Sequence, residues 1–280
     1  MQTPQSITIR RPRLSFLARM NPVFVEGQPE LSYVLLGLSL SLPYLEPFVI
    51  RTMKSSKLRV TDPALREAID LLSAQEAQHV RLHTRFNKAV CEKFPELEAL
   101  EQELAQDCQR FTETRSLEWR LAYVEGVEAF TVALAGFLFE EQLLRDAEPN
   151  VRDLFEWHIL EELEHRSVAF DVHRHLNGSY LQRAAVGLYA QWHFCRFVIR
   201  ATRAMLAHDL AHGRDHGGKV ATRSRMRPLL AKVARGLVPK VLRSFSPRYS
   251  PHKIGMPPGI EGVVQRLADA DAVAPLRSAS

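Results

Sequence analysis

A chain of 280 residues with 46% hydrophobic and 25% charged side chains has the makeup of an ordinary globular protein, which excludes a disordered or low-complexity polymer. Cys91, Cys108 and Cys195 are odd in number and match no zinc spacing, so a disulfide scaffold is excluded and free thiols in a reducing, cytoplasmic setting are expected. The net charge of +5 hides an asymmetry: residues 216–260 hold ten Lys/Arg and no acid, whereas residues 1–215 hold twenty-five Lys/Arg against twenty-nine Asp/Glu, net −4.

Met1 to Arg13 is polar and lacks the apolar run of a secretory leader. Leu31 to Ile50 contains one charge, Glu46, but Pro43, Pro47 and the serines between Leu38 and Leu42 interrupt it. It falls short of about twenty clean apolar residues, so a buried helix pair is expected, the second member running from Pro43 to Lys57. Thr61-Asp62-Pro63 starts the next helix, with a capping residue before a proline that suits the first turn. That helix extends to Lys93. Further helices are predicted over Glu96–Phe111, Glu113–Asp146, Pro149 to the Asn177-Gly178 stop signal, and Leu181–His212. Arg196, Arg200 and Arg203 weigh against a membrane span in the last. Residues 213–280 carry a basic amphipathic stretch, Arg225 to Phe245, and a proline-rich tail. Few segments alternate as strands do. The expectation is an all-α protein with a helical body over residues 1–212 and a basic appendage over 213–280.

Two of these helices contain Glu-x-x-His: Glu76 with His79, and Glu162 with His165. Positions i and i+3 share a helix face, so a carboxylate and an imidazole can reach one ion. Each motif follows a helix that carries a glutamate among apolar neighbours. Glu46 stands 30 residues before Glu76, and Glu128 stands 34 before Glu162. Such spacings suit two helices joined by a turn. Four buried carboxylates without partners are prohibitively costly in a dry core, whereas four glutamates balance two divalent cations. This is the ligand set of ferritin-like di-iron carboxylate bundles. Oxygen and imidazole donors without thiolate suit two Fe ions, with Mn or Zn as alternatives.

Helix three also offers Glu125, one turn before Glu128, as a carboxylate beside the metals. His158 lies one turn before Glu162 and can place a third imidazole on the same stripe. Gln75 and Glu161, each just before a motif glutamate, can reach across to the opposite histidine's second nitrogen, and Asp171 is another acceptor of this kind. His83, one turn past His79, is expected to be exposed or to sit behind the ligands.

At these residues the chain resembles known families. The Glu, Glu-x-x-His arrangement looks like the ribonucleotide reductase small subunit and the multicomponent monooxygenases. The added His158 is similar to the p-aminobenzoate N-oxygenases, in which a third histidine binds the iron pair. Ile9-Arg10-Arg11-Pro12-Arg13, Leu42–Arg51, Gln75–His79 and Trp157–Asp171 resemble a bacterial family of predicted metal-dependent hydrolases over residues 7–210. The fold that this implies is a ferritin-like four-helix bundle with additional N- and C-terminal helices.

The leading functional expectation is an O2-activating di-iron oxygenase or oxidase of a small organic substrate. The alternative is a metal-dependent hydrolase using a metal-bridged hydroxide, with Glu125 or Glu161 relaying protons. A non-enzymatic metal-binding protein is a third class. The basic segment, residues 219–248, can lie on an anionic membrane or contact nucleic-acid phosphates. It can equally pack on the acidic body or form a homodimer interface.

Overall fold

The computed structural model describes residues 7–16 and 20–272. Among them the regular structure from Pro29 onward is helical, and the β pairing is an isolated bridge between Val25 and Ala147. Five long helices surround the core: α1 (Pro29–Lys57), α2 (Pro63–Cys91), α4 (Leu117–Glu140), α5 (Pro149–His165) and α7 (Tyr180–Ala211), with α3 (Leu97–Thr114) and α6 (Val168–His175) packed beside them. Trp157, Tyr33, Tyr123, Phe48 and Phe86 are fully buried between them.

The helix starts follow from capping chemistry. Asp62 accepts from the backbone N–H of Ala64 (2.9 Å) with Pro63 next in line, and Glu148 accepts from Val151 N–H (3.0 Å) with Pro149 next. Ser116 accepts from Trp119 N–H (3.2 Å) at the head of α4. Each such cap contributes on the order of 1 kcal/mol.

The helix expected over Glu113–Asp146 is shorter, Leu117–Glu140, and two larger differences concern the helices before Lys57 and after Pro149. The two upstream helices are one, because α1 runs through Pro43 and Pro47. Pro43 has no N–H for the carbonyl of Ser39, four residues earlier. That carbonyl accepts instead from Asn87 Nδ2 on α2 (3.0 Å), so a neighbouring helix repairs the ladder. Conversely, the helix expected from Pro149 to Asn177 is broken after His165 into α5 and α6. There the Arg166 guanidinium donates to the carbonyl of Leu163 and to that of Pro251, tying the break to the C-terminal segment.

By length and composition α1 and α4 could cross a membrane, but most of each is packed inside the protein. On α7, Arg196 and Arg200 are held by Glu103 of α3. The crossing of α4 and α7 requires glycine: a Cβ on Gly126 would stand 2.4 Å from Gly187 Cα.

The basic segment forms α8 (Gly218–Lys232), a turn of π-helix (Val233–Leu237) and α9 (Val238–Ser244), with α10 (Ile260–Ala272) after it. Leu229, Val233, Leu237 and Val241 pack against the core. Gly236 lies so close to the Phe137 ring that a Cβ there would be 2.9 Å from it.

Candidate metal centre

Four helices deliver seven side chains to one pocket: Glu46 from α1, Glu76 and His79 from α2, Glu128 from α4, and His158, Glu162 and His165 from α5. All are buried except the half-buried His158. Their donor atoms form three overlapping groups, each within 4.8 Å: Glu46, His79 and His158; Glu76, Glu128 and His165; and Glu76, His79 and Glu162. The first two groups share no residue, while the third joins them.

The spacing inside the pocket is that of ligands around a missing centre. His165 Nε2 stands 3.3 Å from Glu76 Oε1, 3.4 Å from Glu128 Oε2 and 3.6 Å from Glu162 Oε1. His79 Nδ1 stands 3.5 Å from Glu76 Oε2 and 3.6 Å from Glu46 Oε1. Two donors each about 2.1 Å from one cation stand roughly 3.0–3.4 Å apart at octahedral or tetrahedral angles. Among the described residues, both oxygens of Glu46, Glu76 Oε1, His79 Nδ1, Glu128 Oε2 and His165 Nε2 are buried without a hydrogen bond. Buried polar atoms are almost always paired, so six such atoms in one pocket point to a positive guest. The donors therefore fit divalent metal.

Hydrogen bonds behind the pocket fix which imidazole nitrogens face it. Glu161 Oε2 accepts from His79 Nε2 (3.1 Å), so Nδ1 is the ring nitrogen that faces inward. Gln75 donates through Nε2 to Glu164 (2.9 Å) and to the Thr8 carbonyl (3.0 Å). Its Oε1 therefore accepts from His165 Nδ1 (2.9 Å), leaving Nε2 inward. A third chain orders His158. Ser39 donates to Asn87 Oδ1, so its oxygen accepts from His83 Nδ1 (2.8 Å). His83 Nε2 is then the acceptor for His158 Nδ1 (3.1 Å), and the His158 Nε2 lone pair points inward, 3.3 Å from Glu162 Oε1. Thr131 donates to Glu162 Oε2 (2.6 Å).

One residue that the sequence did not single out joins two of these chains. Arg10, on the extended segment before α1, grips Glu164 with both terminal nitrogens (2.9 and 2.7 Å), and its backbone N–H donates to Glu161 Oε1 (3.1 Å). It thus stands behind both Glu161, which holds His79, and Glu164, which holds Gln75 and through it His165. The Arg10-Arg11 stretch carried a family resemblance but no periodicity that would assign it a role.

Glu125 and Asp171 lie away from the pocket, whereas Gln75, Glu161 and His83 stand behind its histidines. Glu125 is turned to α7, where it pairs with Arg183 (2.9 Å), which also binds the Ser244 carbonyl (3.0 Å). Its placement is that of a tie between α4, α7 and the C-terminal segment, not of a relay at the pocket. Glu161 has both oxygens engaged and acts as an acceptor behind His79. Asp171 pairs with His252 (2.8 Å) near the surface, away from both histidines. His83 is fully buried.

Burial dominates the electrostatics. It drives the Glu46 carboxyl well above its usual range, and the Glu128 carboxyl up to about 7, against the pull of the neighbouring histidines. Burial also works to lower His79 and His165, but the carboxylates around them win and raise both well above the ordinary histidine value. The Glu162 carboxyl is held well below its usual range because His165 and His158 outweigh its burial. His83 and His158 are lowered, by burial and by the other imidazoles.

A narrow cavity of about 50 Å³ abuts His158, Glu162 and Thr131, with walls of Leu38, Leu42, Leu134, Phe155 and Phe194. Among the described residues, no Lys or Arg lines it.

A family model described as "predicted metal-dependent hydrolase" matches residues 8–255, which takes in the pocket and the whole basic segment. No curated protein and no solved structure matches the chain.

Proposed function

The chain belongs to the predicted metal-dependent hydrolase family, and from that premise we propose that it is a hydrolase working with two divalent cations held between α1, α2, α4 and α5. Glu46, His79 and His158 would hold one cation and Glu128 and His165 the other, with Glu76 and Glu162 between them. The observation that carries this reading is the convergence of six buried, unpartnered oxygen and nitrogen atoms on one pocket. Four carboxylates also bring the charge that two divalent ions neutralise.

Bound cations supply acidity: they lower the pKa of water enough to give hydroxide at neutral pH. The chain's own residues do the remaining work. Glu161 and Gln75 keep the outer nitrogens of His79 and His165 protonated and the inner ones free to bind. Thr131 holds one oxygen of Glu162 and so limits how that carboxylate turns. Leu38, Leu42, Leu134, Phe155 and Phe194 keep bulk water from the cavity side and favour an uncharged, apolar group of the substrate.

The test is hydrolysis of p-nitrophenyl acetate and butyrate by protein loaded with Zn or Mn in the absence of air. Metal-dependent turnover that disappears in His79→Ala is expected. Turnover that persists in that variant, or is absent with every metal, would defeat the hydrolase reading.

The family description reverses the order of the two sequence expectations. Oxidation of a small apolar substrate with O2 at two iron ions becomes the second reading. It is favoured by the donor set itself, since carboxylates and imidazoles without thiolate suit iron as well as Zn or Mn. Consumption of O2 by the iron-loaded protein with substrate would select it, and substrate turnover without air would reject it.

A further inference from the structure

The helical run from α8 through α9 sorts its cations by face. Arg225 grips Glu30 with two bonds (2.8 and 2.7 Å), Lys232 meets Glu141 (3.2 Å) and Lys240 meets Glu140 (2.8 Å). These three tie the run to the acidic body, together with the inward apolar stripe of Leu229, Val233, Leu237 and Val241. The outward face is different. Arg223, Arg227, Arg235 and Arg243 are exposed, as is Lys219, and none of these five side chains has a hydrogen-bonding or ion-pairing partner among the described residues. Between them stand large aliphatic side chains that the fold does not cover: Val220 is 84% exposed, Leu230 57%, Val238 42% and Leu242 65%.

We propose that this outward face, residues 219–243, docks on an anionic lipid surface. The face is about 37 Å long at a helical rise of about 1.5 Å per residue. It offers five unpaired cations for lipid phosphates and four aliphatic groups for the boundary between headgroups and acyl chains. A second copy of the same face is a poor partner, since five cations would meet five cations. A nucleic acid would use the cations but not the aliphatic groups, and no exposed aromatic on this face can stack on a base. The inward ion pairs hold the run rigidly to the body, so docking needs no change of fold. The proposal is independent of the reaction at the metal pocket.

The test is co-sedimentation of the full-length chain with vesicles of phosphatidylcholine, alone or mixed with phosphatidylglycerol. Binding to the mixed vesicles that falls steeply with salt, and none to phosphatidylcholine alone, is expected. Arg223→Gln, Arg227→Gln, Arg235→Gln and Arg243→Gln together should weaken it by on the order of a hundredfold or more. Leu230→Ser with Leu242→Ser leaves the charge unchanged and should weaken it by about tenfold. All six positions are exposed, so circular dichroism should be unaltered. Failure to bind mixed vesicles, or binding that either variant retains in full, would overturn the proposal. Tighter binding to duplex DNA that is indifferent to the serine substitutions would do so too, and would point to a phosphate backbone instead.

Discussion

The metal pocket and the outward face of α8–α9 both gather like charges, yet they relate to water in opposite ways. In the pocket, Glu46, Glu76, Glu128 and Glu162 are buried, so their charge has to be balanced inside the protein, by protonated histidine or by a bound cation. On the α8–α9 face, Arg223, Arg227, Arg235 and Arg243 are hydrated, and their charge costs the fold almost nothing. Unpaired charge inside a protein is a demand for a ligand. Unpaired charge outside is an offer to one. The first should show in stability and pH dependence, and the second only in association.

The largest expected effect is at a histidine that faces the pocket. His165→Ala should take metal content, measured by elemental analysis, from about two ions per chain to one or none, because the lone pair of Nε2 has no substitute. Next comes acidity. Glu46 and Glu128 are raised, and so are His79 and His165, so at neutral pH these groups tend to hold protons that a metal must displace. Metal affinity should therefore rise with pH, by about tenfold per pH unit for each proton displaced, and fall away below neutrality. A titration monitored with a competing chelator between pH 5.5 and 8 checks the sign, and a flat profile would contradict it.

Arg10→Ala should lower metal affinity by about 10- to 100-fold without touching any donor, since it frees both Glu161 and Glu164. Arg10→Lys, with one point charge in place of a two-pronged grip, should recover only part of that. The comparison is sharpest in the metal-free protein. Glu46→Leu removes a buried, unpartnered carboxylate and should raise stability against urea by about 1–4 kcal/mol, while abolishing tight metal binding. The smallest effect belongs to the outer face: Arg223→Gln with Arg243→Gln should leave the same urea midpoint within about 0.5 kcal/mol. If the outer cations proved as costly to the fold as Glu46, the distinction between the two regions would fail.

The helices that carry the pocket were legible because their signals are local. Asp62-Pro63 and Pro149 mark starts, and the i, i+3 spacing of Glu76 with His79 and Glu162 with His165 needs no knowledge of packing. The glutamates on α1 and α4 were legible as acids in apolar surroundings. What was not legible depends on contacts between distant residues. The continuity of α1 rests on Asn87 reaching the carbonyl that Pro43 leaves unpaired, 48 positions from Asn87 in the chain. Arg10 acts from more than 150 residues away on Glu161 and Glu164. The partnership of His158 with His83 and Ser39 joins three helices. Spacing to Glu162 singled out Glu128 as the ligand, but that Glu125 turns away from the pocket depends on Arg183 on α7, which spacing does not reveal.

The central claim is that the pocket is built around two cations, and anomalous diffraction from crystals equilibrated with Mn(II) tests it most directly. Two anomalous peaks are predicted, one in bonding contact with Glu46, His79 and His158 and the other with Glu128 and His165, with Glu76 and Glu162 reaching toward both. A map without peaks at these side chains, at Mn(II) concentrations that fill ordinary carboxylate–imidazole sites, would contradict the account.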